Sequence, residues 1–178
     1  MEKNVFHRCP CNGRTFTSDE WSEWVRTHPC AEVVHQHGEF GFNIHGVCMT
    51  PRVCVDWKNS VCRVIITTAK SDNGRWDFGV STSFWDRYSS SPTRFVEDAD
   101  KGFDNEKKAI VAGLDMAKKY CQQVLDDIAF RGGLPDDEDE EDKSPTRGVS
   151  VLPKLNEAMV RINQFKSLYN PQQLELFA

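Results

Sequence analysis

The strongest constraint on this chain is the tetrad Ser71-Asp72-Asn73-Gly74, set between two strand-like runs. Val61 to Thr68 is β-branched and nearly continuous, and Trp76, Phe78 and Val80 alternate with polar or small residues. Asn-Gly supplies the backbone freedom a tight turn needs, and β-branched side chains fit a pleated surface. Residues 61–84 are therefore expected to form a β-hairpin. Alternation at Phe40, Phe42 and Ile44, and again at Val53, Val55 and Trp57, places further strands before it. The stretch Tyr88-Ser89-Ser90-Ser91-Pro92 reads as a loop, followed by a short extended piece over 93–96.

Three segments carry a helical period. Thr17-Ser18-Asp19-Glu20 matches a capping box, Phe16 and Trp21 are placed for a hydrophobic staple, and Pro29 stops the helix near Thr27-His28. Ile110, Leu114, Ala117, Cys121, Val124 or Leu125, and Ile128 form the stripe of a long helix. Asp104 or Asn105 caps it, and Gly132-Gly133 ends it. Leu155, Met159, Ile162, Phe165 and Leu168 mark a last helix over 152–169, capped by Ser150 with Pro153 in its first turn.

This order predicts an α+β fold: an antiparallel sheet with one long helix packed on a face, plus a C-terminal helix after an acidic linker. The expected organisation is an α+β body over 1–133, a flexible linker over 134–149, the last helix over 150–170 and a peptide over 171–178. The linker follows from charge. Seven of the chain's 27 acids run together at 136–142, and the other 20 face 22 basic residues. The body is thus near neutral, which does not indicate a globally basic nucleic-acid binder. The apolar runs are too short to cross a membrane, and the first residues show no secretory signal, so a cytoplasmic protein is expected.

Seven cysteines, an odd number, argue for reduced thiols or a metal site over a disulfide framework. Cys9, Cys11, His28 and Cys30 form the best zinc candidate, although Cys9-x-Cys11 is tighter than the usual spacing. Cys48, Cys54, Cys62 and Cys121 read as core residues. His35 and His37 share one side of a strand, where they could bind metal or phosphate. Walker, GxGxxG, HExxH and GxSxG signatures are absent, and nothing brings a base, an orienting acid and an oxyanion hole together, so no enzyme is expected. No small-molecule substrate is indicated. Arg75, Trp76, Arg87, Tyr88 and Arg94 flank the hairpin and form a candidate nucleic-acid surface, with rings to stack on bases and guanidinium groups for phosphate.

The last residues speak about a partner. Gln173-Leu174-Glu175-Leu176-Phe177 resembles the bacterial sliding-clamp-binding motif, which reads Gln-Leu-Ser/Asp-Leu-Phe. Four of the five positions match, and Glu175 keeps the acidic character of the fifth. The resemblance implies a bacterial sliding clamp as partner, with Leu174, Leu176 and Phe177 filling apolar pockets and Gln173 adding a directional hydrogen bond. The function expected from it is a non-enzymatic accessory protein of bacterial DNA transactions, of phage, plasmid or mobile-element type. A nucleic-acid-binding module built on residues 61–94 and a zinc-stabilised interaction domain are the two other readings.

Overall fold

The computed structural model describes residues 6–8, 15–28, 32–130 and 147–169. At its centre is the expected hairpin. β6 (Cys62–Lys70) and β7 (Trp76–Phe84) pair antiparallel along their whole length, Cys62 opposite Phe84 and Lys70 opposite Trp76. Gly74 closes the turn with a φ of 82°, its N–H donating to the Ser71 carbonyl at 2.9 Å. An L side chain is strained in that left-handed region, which is why glycine sits there.

β5 (Arg52–Lys58) and β8 (Arg87–Ser91) complete a four-stranded antiparallel sheet in the order β5-β6-β7-β8. Two expectations are corrected here. Residues 87–91 are an edge strand, not a loop: the serines carry turn propensity, but their backbone pairs with β7 from Phe84–Arg87 to Val80–Ser91. Pairing to a formed neighbour overrides the local preference. In β5 the register shifts between Val53 and Val55, a bulge that breaks the alternation. Val55 enters the core, while Val53, opposite Thr67, is 58% exposed on the other face.

α2 (Glu106–Phe130) and α3 (Arg147–Tyr169) cover one face of this sheet. Asn105 caps α2, its Oδ1 accepting from the Lys108 N–H at 3.0 Å. The stripe is the expected one, with Val124 buried and Leu125 at its margin. α3 begins earlier than expected, so Pro153 lies inside the helix and Ser150 is a helical residue, not a cap. Its buried stripe is Val151, Leu155, Ala158 and Ile162, with Met159, Phe165 and Tyr169 alongside, whereas Leu168 is 71% exposed. One core thus runs from β5, β6 and β7 through α2 into α3.

A second, smaller core gathers the N-terminal elements. β1 (Phe6–Arg8) pairs with β2 (Thr15–Thr17), and β3 (His35–His37) with β4 (Phe40–Phe42). α1 (Ser18–Thr27) starts with the expected capping box. The Thr17 N–H donates to Glu20 Oε2 at 2.8 Å, and the Glu20 N–H donates to Thr17 Oγ1 at 3.4 Å. Phe16, Phe40, Phe42, Cys48 and Ala69 are its buried centre, with Trp21, Trp24, Trp76 and Phe95 packed against them. The fold is therefore α+β, and no helix of the described residues is long and apolar enough to cross a membrane.

Candidate functional site

Residues 92–96 leave the sheet edge and cross its outer face, the one opposite α2 and α3. The crossing requires Gly79, because a Cβ there would lie 2.6 Å from both Thr67 Oγ1 and Thr93 Oγ1. The Arg94 N–H donates to Asp77 Oδ2 at 2.7 Å, and burial pushes the Asp77 carboxyl above its ordinary range. Arg94 itself is exposed at this crossing, and no hydrogen bond or ion pair of its guanidinium exists among the described residues.

The other candidate nucleic-acid residues do not form one patch with it. Arg75 clamps the turn, its Nε donating to the Lys101 carbonyl at 2.9 Å and its Nη2 to that of Gly102 at 3.1 Å. Trp76 packs into the N-terminal core, with the Arg52 guanidinium 5.8 Å and the Lys70 ammonium 5.9 Å from its ring centre. Arg87 pairs with Asp127 of α2. A nine-residue strand separates Trp76 from the Arg87 end, about 25 Å at 3.3 Å per residue. Tyr88 is the exception, because the residue is 70% exposed. What the sequence reading missed is the outward set beside it, Lys58, Arg63, Ser81, Ser83 and Ser90; the outward positions of the alternating strands could have revealed it.

Of the zinc candidates only His28 is described; Cys9, Cys11 and Cys30 lie outside the described residues. His28 caps α1 by donating its backbone N–H to the Trp24 carbonyl at 3.0 Å, and its ring stacks on Trp24 at 3.8 Å. His35 and His37 do share a side of β3. Both face Asp72 of the β6–β7 turn, His35 Nε2 at 2.8 Å and His37 Nδ1 at 2.9 Å from its carboxylate. Among the described residues no three metal-ligating groups converge on one ion.

The remaining polar cluster is structural in its chemistry. The Thr68 hydroxyl, wholly buried, donates to Glu106 Oε1 at 2.8 Å, and Arg52 Nη1 donates to both Glu106 oxygens at 3.0 and 2.9 Å. Cys54 Sγ lies 3.2 Å from Thr68 Oγ1, but burial raises its pKa, so the thiol is a poor nucleophile. A cavity of about 350 Å³ lies between β8 and α2, lined by Arg87, Tyr120 and Gln123 among others.

The clamp-like residues, Gln173, Leu174, Glu175, Leu176 and Phe177, lie outside the described residues, and so does the acidic run. Their tether is described. Asn59 Nδ2 donates to the Lys154 carbonyl at 3.1 Å near the start of α3, and the Tyr169 hydroxyl donates to the Cys54 carbonyl at 3.3 Å at its end. In the sequence three residues, 170–172, stand between Tyr169 and Gln173. No protein-family model, curated protein or solved structure matches the chain.

Proposed function

We propose that this chain is a non-enzymatic accessory protein of bacterial DNA transactions, of phage, plasmid or mobile-element type. It docks on the replication sliding clamp through Gln173, Leu174, Leu176 and Phe177. The observation that carries the reading is the four-of-five motif match at 173–177. A second observation supports it. α3 uses its apolar stripe on its own body, so the stripe is not the element left to recruit a partner. Leu174, Leu176 and Phe177 supply apolar anchors for that task, a few residues after a helix held near both ends.

The test is fluorescence anisotropy of a labelled 170–178 peptide titrated with a purified bacterial sliding clamp. The expected Kd is on the order of micromolar, and it is lost when Leu174, Leu176 and Phe177 are all alanine. The full chain should bind likewise, and lose binding without unfolding when residues 172–178 are deleted. Absence of binding at tens of micromolar overturns the reading.

A further inference from the structure

We propose that the open part of the outer sheet face binds a single strand of nucleic acid, stacking a base on Tyr88 and holding phosphates with Lys58, Arg63 and Arg94. Strand pairing puts two rows of side chains on this face. One row is Lys58, Arg63, Ser83 and Tyr88, and the next is Asp56, Ile65, Ser81 and Ser90. Residues directly opposite one another in an antiparallel sheet share a face, and the intervening rows, such as Trp57, Val64 and Thr82, face the helices. The far end of the face is closed where Thr93 crosses Gly79, so the two rows form a shelf bounded by that crossing, with the exposed Arg94 next in the chain after Thr93.

Tyr88 is held ready for stacking. Its hydroxyl accepts from Ser81 Oγ at 3.3 Å, in the adjacent row. That row lies about 7 Å along the strand, so the ring must lie along the sheet and not stand away from it. Arg63 is oriented by Asp56, with Nε and Nη2 at 3.2 and 3.0 Å from the carboxylate. Lys58 makes no hydrogen bond or ion pair among the described residues.

The composition of the shelf selects the occupant. The core of a protein–protein interface needs several apolar anchors, and Ile65 is the one aliphatic side chain in the two rows. Serine hydroxyls, lysine and arginine are the usual phosphate partners, and an exposed tyrosine is the usual base platform. In a duplex the base faces are already stacked, so Tyr88 selects an unpaired strand. Lys58, Arg63 and Arg94 outnumber the two carboxylates beside them, Asp56, which Arg63 faces, and Asp77, which lies against Arg94. The inference does not rest on the clamp reading.

The experiment uses the full chain and fluorescein-labelled oligo-thymidylate and oligo-uridylate, with anisotropy read across a salt series. Binding is expected, with a log–log salt slope of about −2 for three phosphate contacts. Tyr88→Ala should weaken it about fivefold or more, and Tyr88→Phe much less, since the ring remains. Replacing both Lys58 and Arg63 by Glu should flatten the slope by about 1.4. Arg161→Glu on α3 and deletion of 172–178 should change nothing, and the tighter of the two oligonucleotides assigns DNA or RNA. Three results would overturn the proposal: no binding at about 100 μM protein in low salt, Tyr88→Ala binding as wild type, or preference for a duplex of equal length.

Discussion

The hydroxyls of Thr67 and Thr93 meet at 2.7 Å at the spot where a side chain on Gly79 would begin. The contact locks residues 92–96 onto the sheet and shapes the end of the outer shelf. A Cβ at Gly79 would also lie 2.7 Å from the Thr93 backbone nitrogen, and a backbone atom cannot rotate away. Gly79→Ala should therefore cost about 1–3 kcal/mol, read by thermal or urea denaturation. Adding Thr67→Ala should recover only part of the loss. Full recovery would mean that the backbone approach is not the constraint.

Thr68 and Glu106 offer a second test, at the join between sheet and α2. The Thr68 hydroxyl is buried and donates to a carboxylate also held by Arg52. Thr68→Val keeps the shape and removes the donor. A loss of about 1–2 kcal/mol is expected, because hydrogen bonds to charged groups exceed neutral ones. A change within a few tenths would show that Arg52 alone satisfies Glu106.

Asp77 gives a pH dependence with a definite sign. Burial raises its carboxyl above the ordinary value of 3.8, against the pull of the Arg94 and Phe78 N–H groups and the Arg94 charge. Above that ordinary value the unfolded chain releases the proton before the folded one does. The folded state then holds more protons, and stability falls as pH rises until the folded carboxyl also ionises. Asp77→Asn keeps an acceptor oxygen and removes the titration. Urea melts of both proteins should show the variant gaining on wild type as pH climbs from 3.8, then a constant gap. A gap that narrows with rising pH would mean that the donors outweigh burial.

The central hairpin, the capping box and the α2 stripe were legible because each rests on local chemistry: an Asn-Gly turn, a Thr-x-x-Glu pair, apolar residues at steps of three and four. β8 was not legible, because Ser89, Ser90 and Ser91 pair only once β7 exists beside them. The β5 bulge was hidden for a similar reason, since its register is set by β6 and not by its own residues. The candidate site divides the same way. Tyr88 and Arg94 could be named from the sequence as a ring and a cation near the hairpin, but Lys58, Arg63 and the serines become neighbours only through cross-strand pairing.

The covering of two thiols by α3 supplies a last prediction. Cys62 Sγ lies 3.7 Å from the Lys154 carbonyl and Cys121 Sγ 3.6 Å from that of Leu155, so β6 and α2 each point a thiol at adjacent carbonyls of one helix. Burial pushes Cys62 up to about 11 and Cys121 up to about 12. Neither is a thiolate at pH 8, and above pH 9 the unfolded chain ionises first, so stability falls there. Peptide-resolved alkylation at pH 8 should leave both unmodified until the fold opens. Leu155→Ala empties a wholly buried site in the same helix, at a cost of about 2–5 kcal/mol. It should speed alkylation of Cys62 and Cys121 while sparing Cys48, which belongs to the N-terminal core. Equal acceleration at Cys48 would show that the two cores open as one cooperative unit.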